Sequence, residues 1–180
     1  MSIYRSIACI AVLGTGYSAS AGVVSGSQTF YNMSASSRTY TYYQYAPLYG
    51  GSGGNVMNGS VTATLTDLNG NGALLSTDTA GNAIYTATLN DVAVQTLWSS
   101  PFGLAVGQYL SNSASPASFA NVPVPSGVPA DGNPGVVLRF TLSAGDAVSF
   151  AYTFNVVPGP GALALLACAG CATHGRRRKS

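Results

Sequence analysis

The chain has 180 residues, only 7% of them charged, and contains no glutamate. Its formal charge of +2 is uneven: Arg5, Arg176, Arg177, Arg178 and Lys179 carry the excess, whereas residues 22–157 set Arg38 and Arg139 against Asp67, Asp78, Asp91, Asp131 and Asp146. A net-acidic body has no basic face for phosphates, which excludes nucleic acid as a partner; with no His, Cys, Lys or Glu between Gly22 and Val157, it also excludes histidine triads, thiol nucleophiles, Schiff-base lysines and His/Cys metal sites.

The first 21 residues, "MSIYRSIACIAVLGTGYSASA", have the three parts of an export signal. Arg5 supplies the positive start, Ile7 to Leu13 the short apolar run, and Ala19 and Ala21 the small residues of a cleavage site before Gly22. Next come segments rich in Val, Thr and Tyr, separated by Gly, Asn and Ser. "RTYTYYQY", "SVTATLT", "NAIYTATL" and "VAVQTLW" read as strands, and "GGSGGN", "DLNGNG" and "DTAGN" between them as turns. The tyrosine cluster Tyr40, Tyr42, Tyr43, Tyr45 and Tyr49 either packs across a sheet or stacks on sugar rings, with Tyr42 and Tyr45 the carbohydrate candidates. Thr62, Thr64 and Thr66, with Thr86 and Thr88, form T-x-T rows of the kind that line solvent-facing strands.

"DLNGNGALLSTD" places oxygen-bearing side chains at loop positions 1, 3 and 5 (Asp67, Asn69, Asn71), glycine at position 6 and Asp78 at position 12. Ca²⁺ takes six to eight oxygens, and this spacing matches a calcium-loop template. Two carboxylates make such a site weak, and a strand former precedes it where the template has a helix. The same residues equally make an ordinary Asx/Gly turn. No other cofactor is implied.

From Ser111 to Pro134 five prolines fall within 24 residues. Proline cannot donate to a sheet ladder, so this stretch reads as a long loop. Beyond it, Val136, Leu138, Phe140 and Leu142 alternate with polar neighbours, as do Val148, Phe150, Tyr152, Phe154 and Val156. With Gly145-Asp146 between them, the two runs predict a β-hairpin. Seven to nine strands without a helical segment predict an all-β fold, a β-sandwich or jelly roll, over residues 22–157. The aspartates alone could perform acid–base chemistry. Their spacing pairs no two of them, and surface turns account for Asp67, Asp78, Asp131 and Asp146, so the body is expected to be non-catalytic.

The chain closes with "VVPGPGALALLACAGCATHGRRRKS". Gly161 to Gly175 spans 15 residues, about 22 Å as a helix, against a bilayer core of about 30 Å. It is a marginal spanner, and the cations behind it favour the cytoplasmic side. Cys168, Cys171 and the lone His174 lie in this run and read as incidental to it.

The Pro158-Gly159-Pro160-Gly161 hinge, short apolar helix and Arg176-Arg177-Arg178-Lys179 end resemble the PEP-CTERM sorting tail of bacterial surface proteins. That tail is also catalogued as an ice-binding-protein C-terminal domain. Gly159 stands where the family usually has Glu. The resemblance covers residues 158–180 and implies cleavage near the hinge by an exosortase-like membrane protease, with membrane attachment through the helix before processing. It implies an exported protein at the cell surface, outer envelope or outside the cell. The resulting expectation is a structural or adhesive component of the envelope or exopolysaccharide matrix; the alternative is a carbohydrate-binding module, with extracellular polysaccharide as partner and calcium assistance at the Asp67 loop.

Overall fold

Strand formation follows from alternation. In the 12-residue segments Val56–Asp67 and Asp146–Val157, every second residue is buried, while those between are mostly Ser, Thr, Asn and Ala. That pattern suits one packed and one solvated face. The structure, a computed structural model, describes residues 22–47, 56–128 and 132–157. Among the described residues it contains strands and no helix: β1 (Val23–Tyr31), β2 (Arg38–Tyr45), β3 (Val56–Asp67), β4 (Ala73–Ser76), β5 (Ala83–Leu89), β6 (Val92–Ser99), β7 (Gly103–Val106), β8 (Ser111–Ser113), β9 (Ala117–Pro123), β10 (Pro134–Leu142) and β11 (Asp146–Val157). No helix among these residues is long and apolar enough to cross a membrane. The expected signal, with Ala19 and Ala21, and the expected tail, from Pro158 through Lys179, lie outside the described residues, as do Tyr49 and Asp131.

The strands form two antiparallel sheets. In the first, β11 is flanked by β1 and β3, and the far edge of β3 is shared by β8 and β9. In the second, β10 pairs with β2 on one side and with β5 and β4 on the other; β6 then adds to β5 and β7 to β4. The apolar faces close on a common core in a sandwich-like arrangement. Phe140 of β10 lies 4.9 Å from Phe150 of β11 and 5.1 Å from Phe30 of β1, between ring centroids. Polar bolts cross the same gap. The Tyr85 hydroxyl on β5 donates to the Thr153 carbonyl on β11 at 2.7 Å, and burial pushes its pKa far up. Gln44 of β2 donates to the Ser25 carbonyl of β1 at 3.2 Å and accepts from the Tyr152 hydroxyl. Within the first sheet, the Val156 N–H donates to the Gly22 carbonyl at 2.9 Å and extends the β1–β11 pairing by one bond.

Three expectations change. The alternation in Val136–Leu142 and Val148–Val156 is real, yet β10 and β11 are not a hairpin. They lie in different sheets and face each other across the core; the Ser143–Gly145 corner carries the chain between layers, and periodicity cannot distinguish a partner beside a strand from one opposite it. Ser111–Pro134 is not all loop, because β8 and β9 pair with β3. Both are edge strands, where a proline such as Pro123 can stand without breaking a ladder. Finally, Asp67 and Asp146 are not surface turn residues. They end and begin long strands on the inward parity and are only 3% and 0% exposed.

Candidate functional site

On β2 the residues of odd number point outward. This puts Tyr43 and Tyr45 on the solvent face of the second sheet, 58% and 46% exposed. Tyr42, of opposite parity, turns inward. Its ring packs edge-on against Phe30 at 5.7 Å and tilted against Tyr152 at 6.4 Å. Of the two carbohydrate candidates, then, only Tyr45 faces solvent, and its companion is Tyr43. Their rings lie 8° from parallel with centroids 6.5 Å apart.

Gly135 sets this geometry. It is the cross-strand partner of Tyr45 and of Thr88. A Cβ at that position would stand 2.6 Å from Tyr45 Cδ1 and 2.5 Å from Thr88 Oγ1. The missing side chain lets the Tyr45 ring settle against the β10 backbone and leaves its other side open. A two-residue turn, Asn90-Asp91 with φ of 49° and 64°, joins β5 to β6, the left-handed pair that tight hairpins favour. It brings Asp91 to the Tyr45 hydroxyl. Desolvation, the hydrogen bond with Asp91 and the charges of Asp91 and Tyr43 push that hydroxyl's pKa up. The turn is braced by reciprocal bonds with Asn133: Asn90 N–H to the Asn133 carbonyl at 3.1 Å, and Asn133 N–H to Asn90 Oδ1 at 3.0 Å.

Further along the same face Arg139 stands opposite Thr41, and Thr141 opposite Thr39. Arg139 Nε donates to Asp78 Oδ2 at 2.6 Å, the ion pair between an exposed guanidinium and a nearly buried carboxylate. Desolvation alone would raise the Asp78 pKa, but hydrogen bonds from Asn82 and Arg139 outweigh it and hold the group below the ordinary range. Thr39 and Thr141 share a hydroxyl–hydroxyl bond of 2.9 Å. The Thr88 hydroxyl is buried and has no hydrogen-bond partner. Trp98, half-buried and stacked on Phe102 at 5.0 Å, is an aromatic that sequence reasoning did not single out.

The outer face of the first sheet is chemically different. Two rows read Thr29–Ser149–Thr64–Ser113 and Ser25–Thr153–Ser60–Ser118 across β1, β11, β3 and the β8/β9 edge, with Ser27–Ala151–Thr62 between them. Hydroxyl bonds of 2.8 to 2.9 Å join Thr29 to Ser149, Ser60 to Thr153, Thr64 to Ser113 and Thr66 to Ser111. Thr62, Thr64 and Thr66 share this face, whereas Thr86 and Thr88 belong to the second sheet.

The calcium candidates do not converge. β4 runs between Asp67 and Asp78, and Asp78 is held by Arg139 and Asn82. The loop turns N–H groups, not carbonyls, toward Asp67, which accepts from Asn69, Gly70, Gly72 and Tyr109. Asn69 accepts from the Asn71 N–H through its side-chain oxygen and bolts the loop to the Ala144 carbonyl through its amide. Among the described residues no group of three or more His, Cys, Asp or Glu side chains gathers as a metal site would require.

No family model matches the chain, and no curated protein matches it. Among solved structures, one described as TmCBM61 in complex with beta-1,4-galactotriose is similar with a TM-score of 0.33 and 11% identity, over 73% of this chain and 70% of that one. At that level the architecture rests on the strand order and register themselves.

Proposed function

We propose that this protein is an exported, non-catalytic β-sandwich that binds carbohydrate on the outer face of the second sheet. The observation that carries the reading is the exposed Tyr43–Tyr45 pair, two nearly parallel rings seated on one open sheet face. Pyranose rings offer C–H faces that pack on aromatic faces, and a few polar groups beside the platform fix orientation. Here those groups are Arg139, Asp78, Asp91, Thr39 and Thr141. Asp78 and Asp91 outnumber Arg139, so the local field favours a neutral glycan over a uronate-rich or sulfated one.

A second reading, a structural or adhesive component of an extracellular matrix, is favoured by the hinge, apolar run and basic end at residues 158–180. It places the sandwich outside the cell after sorting by an exosortase-like protease. The two are compatible, since a matrix protein that grips polysaccharide performs both roles.

Screening the protein on a glycan array tests the first reading. Binding to at least one neutral polysaccharide, lost in Tyr43→Ala and Tyr45→Ala, is expected. Absence of binding, or retention by the double variant, removes it. A reporter fused after Val157 tests the second: it should reach the cell exterior, and its location should change when Arg176 to Lys179 are deleted.

A further inference from the structure

We propose that Asp67 and Asp146 share a single proton in the folded protein, so that the loop-bearing end of the sandwich is most stable in acid and weakens as the pH rises until that proton is lost. The two residues are direct cross-strand partners at the first position of the β11–β3 ladder. Both carboxyls point inward and are almost completely removed from solvent. Two ionised carboxylates that close, in a poorly screening interior, repel strongly unless a cation or a proton lies between them.

No cation is at hand. Among the described residues, Arg139 is committed to Asp78, and Arg38, at the register of Leu142 on β2, makes no ion pair with either aspartate. The neighbours packed around the pair are neutral. Asn32 is fully buried and spends its amide on the carbonyls of Leu142, Ser143 and Ser36. Tyr109 contributes its backbone N–H, and Ser143 its hydroxyl.

The surroundings also decide which partner holds the charge. Asp67 accepts four backbone N–H bonds of 2.7 to 3.3 Å. Three come from a loop that Gly70 and Gly72, at φ of 79° and 84°, bend around it, and the fourth from Tyr109 between β7 and β8. Such a cradle suits an anion and leaves few lone pairs for a metal. Asp146 has fewer donors, the Ser143 hydroxyl at Oδ2 and the Leu68 N–H, and its Oδ1 is buried without a partner. The proton therefore belongs on Asp146, which donates it toward Asp67.

The directions of titration agree. Desolvation, and then the neighbouring Asp67, raise the Asp146 pKa. Asp67 moves down, because its N–H bonds outweigh the desolvation that opposes them. A raised folded-state value means stability that is present in acid and lost as pH rises through that value. A lowered one means stability lost as pH falls through it. The pair therefore makes stability highest between the two folded-state values. Because residues 22–157 contain no His, Cys or Lys, few other groups in the sandwich change charge between about pH 5 and 9.

The thermal midpoint of the full-length chain in mild detergent, measured from pH 5 to 9 without divalent cations, tests the proposal. Wild type should lose stability as pH rises from the ordinary aspartate range to the raised folded-state value of Asp146, with the unfolding constant approaching a tenfold increase per pH unit for the one proton linked, and then level off. In Asp146→Asn an amide donor replaces the proton at every pH, so that slope should vanish. In Ser143→Ala, which removes the donor that favours ionised Asp146, the fall should continue to higher pH before it levels off. A flat or rising wild-type profile overturns the proposal, as does the same slope in Asp146→Asn. Recovery of wild type, but not of Asp146→Asn, on adding millimolar CaCl₂ at pH 8 would make the pair a cation site, and the shared proton would also be overturned.

Discussion

The outer faces of the two sheets are built by the same alternation, yet they carry opposite chemistry. The first sheet turns out small hydroxyls that satisfy one another across strands, as in Thr64 with Ser113 and Thr66 with Ser111. The second turns out two large parallel rings, an ion pair and a glycine beneath one ring. Small hydroxyls offer a sugar ring no broad apolar surface, whereas exposed aromatic rings do and give up water at little cost. The faces differ in their aromatic area, since both carry polar side chains paired with their own neighbours.

Both faces hang on one core, so Phe140→Ala should abolish both. Removing a ring packed against Phe30, Phe150 and Tyr40 should cost about 3–5 kcal/mol, read as a large fall in the denaturant midpoint; a loss under about 1 kcal/mol would mean the layers do not share that contact. Next in size, Tyr43→Ala and Tyr45→Ala should each weaken glycan binding about tenfold, or ~1.4 kcal/mol, by titration calorimetry, with little change in melting. Gly135→Ala should mimic the loss of Tyr45, because its new methyl occupies the ring's seat. If that variant binds as wild type does, the ring is not held there.

Arg139→Gln leaves the nearly buried Asp78 carboxylate with Asn82 and Thr79 alone. A loss of about 1 kcal/mol is expected. Since the Asp78 pKa is lowered in the fold, the stability it contributes is present above the ordinary carboxylate range and drains away as pH falls through the folded value. Arg139→Gln should flatten that acid limb of the melting profile, and an unchanged limb would assign it to other groups. The smallest effect is expected on the first sheet: Thr64→Ala with Thr66→Ala should cost about 1 kcal/mol or less in stability and leave glycan binding alone. A large loss of binding there would move the site to the other face.

Much of this molecule is legible in its residues. The strands containing Tyr40–Tyr45, Val61–Thr66, Ala83–Leu89 and Val148–Val156 follow from alternation and β propensity, and the turns at Asn69–Gly72 and Thr79–Asn82 from their Gly and Asn content. The candidate site was only half legible. Tyr45 is visible as an aromatic on a strand, but naming Tyr42 beside it mixed two parities, and residues of opposite parity cannot share a face. Asp67 drew attention for its spacing to Asp78, while its true neighbour, Asp146, lies 79 positions away by the numbering and is joined to it only by strand register.

By itself the sequence determined the class of fold, the inward set of apolar side chains and the absence of His, Cys, Lys and Glu from the body, because these depend on local periodicity and composition. The tertiary structure alone decided that β10 and β11 face each other across the core, that Gly135 seats Tyr45, and that Asp67 meets Asp146. Pairing between distant strands is set by the combined burial of two sheets, a property that no short stretch of chain contains.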